Sequence, residues 1–431
     1  MRKIFLILIL GSILAFGANP LSLEDCLKLA VSRNPDLRIS DKQLQAAQEG
    51  IKSSYSTVLP SVSLSSSATR SSQGPSEYVY KNTTFTGGDT ITRYFNTALS
   101  VEQNIYNGGK SRNGIKLAKG TAENYRLDLN RTQQSIIENV TEKFYTVLKT
   151  QELLKVYEMT LKNSQEQLKK TEEMLKIGQV AKKDLFKAQV REGNDRLNVI
   201  QQKSTLKGAL VDLKVAIGVT SDYELEVFES AYQKPEAIDP VVAEKQALEN
   251  NTDMKALRLR KSNSYLNYKI ARGDLLPRIS GSFSYGRGGS EISRSFSEFD
   301  KWWDTSLSLY LSYPLFEGFS RKANIQQKMI DYKLYDDQID KKILEITSQI
   351  ESLILTINTY KEMIDVNEIN ILSAQEDLRL AQEMYRLNSA TILDVLDAQV
   401  ALTQAQGNLV TTKYDAKIAE VRLAYLMGTL K

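Results

Sequence analysis

The side chains of this 431-residue chain best spaced for chemistry are two carboxylates, Asp394 and Asp397, in the run Thr391-Ile392-Leu393-Asp394-Val395-Leu396-Asp397. A spacing of three puts both on one face of a helix, where paired acids attract cations or, inside a pocket, exchange protons. Thr-x-x-Asp is also the pattern of a helix capping box, so Asp394 has a local structural reason to be there. Asp397 lies beyond the cap and has none. The chain has no histidine, which removes the commonest general base and metal ligand. Its one cysteine, Cys26, excludes an intramolecular disulfide and a thiolate metal site. A carboxylate hydrolase would need acids converging in a pocket, and the only matched acids sit at a helix start. No catalytic set, metal set or cofactor site is expected.

The elements that must position these acids are long and repeated. Met1-Arg2-Lys3 followed by the apolar run Ile4 to Phe16 reads as an export signal, residues 1–17, with small residues Ala15 and Gly17 before the cut. That run is shorter than the ~20 residues that span a bilayer. No other segment has the length and apolarity of a membrane helix, so any membrane portion must be made of strands. Charged residues make up 25% and hydrophobic ones 42% of the chain, too polar for a bundle of membrane helices. The formal charge is +4, and the signal's Arg2 and Lys3 supply half of it, so no nucleic-acid partner is expected.

One unit is written twice. Asn34-Pro35-Asp36-Leu37 returns as Asn251-Thr252-Asp253-Met254, and Leu59-Pro60-Ser61 as Leu276-Pro277-Arg278, both offset by 217. Ile105-Tyr106-Asn107-Gly108 matches Leu315-Phe316-Glu317-Gly318, and Ile217-Gly218 matches Met427-Gly428, offset by 210. The copies are 18–219 and 241–431, with 220–240 as a linker. After Pro60 the apolar period is two, with Val62, Leu64 and Ala68 set against serines; Leu307, Leu309 and Leu311 alternate with Ser306, Ser308 and Ser312. Segments of about ten residues with one apolar and one small polar face suit strands of a membrane barrel. The same pattern suits a half-buried hairpin of a soluble protein. Tyr94, Phe95, Trp302 and Trp303 stand where an interfacial girdle would.

After Gly108 and Gly318 the period becomes helical. Val140, Val147, Leu154, Leu161, Leu168 and Leu175 lie seven apart, and 210 residues on stand Ile350, Ile357, Ile364, Ile371, Leu378 and Tyr385. Residues 112–177 predict one helix of roughly 100 Å at about 1.5 Å per residue. Gly178 and Asn388 mark turns, and return helices follow. Residues 23–59 are helical in pattern and fill the wall that the shorter return helix leaves open. Four strands cannot close a barrel, and an open sheet edge is not tolerated in hydrocarbon, so membrane strands require several chains. Three chains give twelve strands, wide enough for solute.

Taken together, Leu23-Glu24-Asp25-Cys26-Leu27 with Ala30, Asn34-Pro35, the two Leu-Pro strand starts, the glycine turns at 108 and 318 and the two helix tips make the chain similar to the TolC-type outer-membrane efflux protein family. The resemblance implies an α+β membrane protein: a long α-helical coiled-coil barrel continuous with a trimeric 12-stranded β-barrel, four strands per chain. It implies an outer-membrane homotrimer with a periplasmic helical domain, a conduit for tripartite efflux or type I secretion. The implied partners are a periplasmic adaptor, an inner-membrane transporter of the RND or ABC type, and outer-membrane lipid. Gly178, Gln179, Val180 and Ala181, with Leu387, Asn388, Ser389 and Ala390, then correspond to the adaptor-contacting tips. Asp394 and Asp397 match the acids of the channel constriction; Asp184 is the copy-one equivalent of Asp394, and Lys187 replaces the second acid. The family's tip arginine corresponds to Ala390, which leaves Lys182 and Lys183 as the nearby cations. The rival reading is a periplasmic coiled-coil spacer or trimeric stalk, which accounts for the heptads but not for the amphipathic strands.

Overall fold

The computed structural model describes residues 21–430, apart from 221, 229–231, 235–237, 298 and 388 and the side chain of residue 296. The expected export signal lies outside the described residues. Copy one runs α1 (Leu23–Arg33), α2 (Pro35–Ser54), β1 (Ser61–Gln73), β2 (Ser76–Tyr80), β3 (Thr83–Gly87), β4 (Thr90–Asn107), α3 (Lys110–Lys176) and α4 (Lys182–Ile217). Copy two runs α5 (Pro240–Asn250), α6 (Thr252–Arg272), β5 (Arg278–Gly289), α7 (Ser293–Phe296), β6 (Trp303–Ser312), α8 (Ser320–Arg386) and α9 (Ile392–Leu426). Both outgoing helices, α3 and α8, have 67 residues, and their returns α4 and α9 have 36 and 35. Among the described residues no helix is long and apolar enough to cross a membrane.

The chain divides into two compact units. One comprises Met1–Ser40, Asp128–Lys255 and Lys341–Lys431; the other comprises Asp41–Leu127 and Ala256–Asp340. In the first unit the heptad seam is the core. Val140, Val147, Ile350, Ile357, Ile364, Leu378 and Tyr385 are buried, and Leu154, Leu161, Leu168, Leu175 and Ile371 are half-buried. The repeated Asn and Ile/Met-Gly motifs meet there. The Asn34 side-chain amide donates to the Ala216 carbonyl at 3.2 Å, and that of Asn251 donates to the Leu426 carbonyl at 3.0 Å. Each asparagine also accepts a backbone N–H at the start of the next helix, from Asp36 at 2.8 Å and Met254 at 3.1 Å. Gly218 and Gly428 end the return helices at φ +72° and +66°. A side chain at Gly428 would sit 2.6 Å from the Asn250 carbonyl oxygen, so glycine is required by space as well as by φ. Leu225 and Val227, within the expected linker, pack into this core, and the Leu21 N–H donates to the Glu226 carbonyl at 2.8 Å.

The second unit carries an antiparallel four-stranded sheet in the order β1-β4-β5-β6. Directly opposed residues of an antiparallel pair share a face. The rows Val62–Val101–Phe283–Leu307 and Leu64–Leu99–Tyr285–Thr305 therefore form one apolar face, and Ser63–Ser100–Ser284–Ser306 lies on the other. A bulge between Asn104 and Tyr106 shifts the register beside the helices. Phe95 and Trp303 lie on the apolar face; Tyr94, one residue along, lies on the polar one. The two long connections differ from each other. The first contains a separate hairpin, β2 with β3, turned by Lys81 and Asn82 at φ +47° and +60°, the backbone of a two-residue hairpin turn. Among the described residues the second contains only the single helical turn α7. The extra hairpin was not expected: Tyr78, Val79, Tyr80 and Phe85 form a strand pair too short to stand out from the surrounding polar loop.

Candidate functional site

Both helix tips belong to the first unit. At tip one, between α3 and α4, the Gly178 N–H donates to the Leu175 carbonyl at 3.0 Å and the Gln179 N–H to the Met174 carbonyl at 2.9 Å. Gly178 has φ +76°, which a side chain would strain. At tip two, between α8 and α9, the Ser389 N–H donates to the Met384 carbonyl at 2.8 Å, the same closure 210 residues on. Asn388, expected in the glycine position, lies outside the described residues. Gly178, Gln179, Ala181, Leu387 and Ser389 are exposed, whereas Val180 and Ala390 are half-buried. Val180 packs on a small core formed by Leu378, Ala381 and Tyr385 of α8 and Ile392, Val395 and Leu396 of α9.

That core sets the direction of the acids. With Ile392, Val395 and Leu396 inward, the helical period leaves Asp394 and Asp397 exposed on the opposite side. The Asp394 carboxylate accepts the Thr391 backbone N–H at 2.7 Å and the Thr391 hydroxyl at 2.8 Å, both on Oδ2. The backbone bond first, and then the hydroxyl bond, hold its acid below the ordinary aspartate range, so it is ionised at neutral pH. Asp394 is thus a cap and an exposed charge at once, and the two readings of it are compatible. Asp397 has no ion-pair partner among the described residues.

Tip one is built from different chemistry. Ala181 begins α4 without a side-chain cap, and Asp184 and Lys187 are half-buried. Lys182 lies with its ammonium 5.8 Å from the Phe186 ring centroid. Tyr385 joins the tips. Burial raises its phenol above the ordinary range, the nearby negative charge of Asp184 adds to this, and the Thr171 hydroxyl opposes it. In the sequence Tyr385 reads as the last seam position, where the second tip begins.

A second feature escaped the sequence altogether. Asp195 on α4 is 2% exposed and accepts from Arg191 Nε at 2.9 Å. Burial pushes its carboxyl up, against the pull of Arg191 and the Ser164 hydroxyl. An Arg-x-x-x-Asp pair reads as an ordinary solvated ion pair, and only tertiary packing buries it. Among the described residues no group of acids and thiols could hold a metal ion.

An amphipathic sheet, seven-residue helical seams and two tips with the same backbone closure define a recognisable architecture, and comparison with known proteins agrees. At 24% identity the chain is similar to outer membrane protein TolC of Salmonella enteritidis, over 100% of this chain and 87% of that protein. It is similar to the alkaline protease secretion protein AprF of Pseudomonas aeruginosa at 22% identity, over 96% of this chain and 85% of that one. The crystal structure of the outer membrane protein VceC of Vibrio cholerae superposes with a TM-score of 0.81 at 16% identity, covering 94% of this chain and 96% of that chain, and so has the same fold. The family profile described as outer membrane efflux protein matches residues 26–219 and 244–429. Matched through both copies and sharing the fold, this chain belongs to the outer membrane efflux protein family.

Proposed function

We propose that the chain is one protomer of a homotrimeric outer-membrane channel, a passive conduit from periplasm to exterior with no catalytic step of its own. The observation that carries this reading is the four-stranded sheet with one apolar face, whose outer strands β1 and β6 each have a single strand partner. Such edges are costly in lipid. Three copies joined β6 to β1 give a closed barrel of twelve strands, with the serine face inward toward water and the apolar face toward outer-membrane lipid. Residues 18–219 and 241–431 act as two structural repeats joined through 220–240.

In this trimer Asp394 and Asp397 line the periplasmic constriction as two rings of three carboxylates, with Asp184 beside them, and select cations. The exposed tip residues Gly178, Gln179, Leu387 and Ser389, with Val180, Ala181, Asn388 and Ala390, meet a periplasmic adaptor. That adaptor couples the duct to an inner-membrane transporter of the RND or ABC type. The similarity to TolC and to a protease secretion protein supports both efflux and type I secretion.

The test is single-channel conductance of the purified trimer in a planar bilayer, wild type beside Asp394→Asn/Asp397→Asn. A small cation-selective current blocked by multivalent cations, with selectivity and block lost in the variant, is the expected result. A folded, membrane-extracted trimer that passes no current overturns the conduit. A variant indistinguishable from wild type leaves the duct standing and reduces the aspartates to helix caps.

A further inference from the structure

The sheet register brings together two arginines that neither the fold nor the channel requires. Arg70 on β1 and Arg93 on β4 are directly opposed. Both are exposed, and neither has a hydrogen bond or ion pair among the described residues. Like charges placed directly opposite each other destabilise a sheet, so the pair is a cost unless an anion lies between them.

Their face and height identify the anion. By register they stand on the apolar face, in line with Val62, Leu64 and Ala68 on β1 and Phe95, Leu99 and Val101 on β4. They are at the end of the strands away from the helices. From Val62 to Arg70 is eight residues, about 26 Å along a strand and about 20 Å along the membrane normal once the strand is tilted. That distance approaches the ~25 Å height of a barrel's apolar band, so the guanidinium groups stand at the outer headgroup level.

The neighbouring loop extends the same surface. Arg287, on the same face, is 3% exposed and donates to the Ser297 and Lys301 carbonyls at 2.6 and 3.1 Å, under the Phe299 ring. Ser297, Phe299 and Lys301 are therefore held against the apolar side. Arg294 stacks on Trp302 at 4.3 Å and lies over Gly289, where a Cβ would be 2.6 Å from its Cδ. Cations flanked by exposed aromatics, at the edge of an apolar band, match a charged lipid headgroup.

Building on the membrane reading above, we propose that Arg70 and Arg93 form a binding site for the phosphate monoester of a phosphorylated glycolipid in the outer leaflet. A monoester carries close to two negative charges at neutral pH, which two guanidinium groups neutralise through paired N–H donors. A phosphodiester headgroup carries one charge and leaves the second arginine uncompensated. Continuity with the lipid-facing band places the acyl chains against Leu64, Leu99 and Phe95.

The experiment is native mass spectrometry of the full-length trimer titrated with a diphosphorylated disaccharide lipid, its dephosphorylated form, and phosphatidylglycerol. Wild type should retain the diphosphorylated lipid about thirtyfold more tightly than Arg70→Gln/Arg93→Gln does. It should prefer it to the other two lipids, and Arg70→Lys/Arg93→Lys should fall between. Equal binding by wild type and the glutamine variant, or equal binding of phosphatidylglycerol, overturns the site. If the glutamine variant fails to form trimers, the wild-type preference for the phosphorylated over the dephosphorylated lipid decides. Bilayer conductance of the same samples separates the two ideas. A conducting protein without lipid preference sinks the site alone, and a lipid-binding protein that never conducts sinks the channel alone.

Discussion

The two helix tips share a backbone closure and differ in almost every side chain that matters. At tip two, α9 starts on a threonine–aspartate cap, turns Ile392 and Val395 into a dry core and presents Asp394 and Asp397 to solvent. At tip one the cap is Ala181, the equivalent of Val395 is the half-buried Leu185, and Lys187 stands in place of the second acid. Farther along, Asp195 and Arg191 of α4 occupy the positions held by Ala405 and Ala401 in α9. Duplication conserved what closes a helix turn, because that is set by backbone hydrogen bonds. It left charge free to diverge, because the side chains at 187 and 397 take no part in that closure.

The largest effect is expected from breaking the tip-two core. Val395→Asp buries an unpaired carboxylate and should cost roughly 4 kcal/mol or more, seen as a lowered urea midpoint of the helical signal. Leu185→Asp, at the same place in the less buried tip one, should cost about half as much. Equal losses would show that the tips are packed alike.

The buried pair of α4 comes next. Arg191→Met leaves Asp195 buried without its counter-charge and should cost about 3 kcal/mol at neutral pH, while Arg191→Met/Asp195→Leu should recover most of it. Because burial raises this acid above its unfolded value, its contribution to stability falls as pH rises through the raised value. Acidification should therefore relieve Arg191→Met more than wild type. A loss that does not change with pH would assign the defect to packing of the arginine stem.

A smaller effect would sharpen the electrostatic contrast. Lys187→Asp gives tip one the acid it lacks and should shift the reversal potential toward stronger cation selectivity; Asp397→Asn should shift it the other way. No change from Lys187→Asp would mean that tip one does not face the permeation path. Smallest of all, Thr391→Ala should lower the melting temperature by about 2 °C, and Ala181→Thr should raise it slightly. The Asp394 acid is held below its ordinary range, so its capping contribution is present above that range and lost as pH falls through the lowered value.

Much of this was legible in the residues. The seam from Val140 to Leu175 and its copy from Ile350 to Tyr385 are local periodicities, and every seam position is buried or half-buried. Asp394 as a cap was readable from Thr-x-x-Asp, since both partners lie within one turn. The β2–β3 hairpin was not, because a strand pair of five residues each inside a polar, glycine-containing connection has too few apolar positions to register a period. The role of Tyr385 beside Asp184 and Thr171 was not legible either, since those residues come from three helices.

The sequence by itself determined the duplication, the change from period two to period seven, the turns, and the absence of histidine and of an intramolecular disulfide. Each follows from composition or from neighbours within a few residues. Only the tertiary structure decided that Asp195 is buried, that Arg287 holds a loop against the apolar face and that Arg70 opposes Arg93. Those facts depend on strand register and helix packing between residues 10 to 31 apart in the chain, as in Arg287 with Ser297, Arg70 with Arg93 or Ser164 with Asp195. A charge pattern on one segment carries no record of what will be placed opposite it.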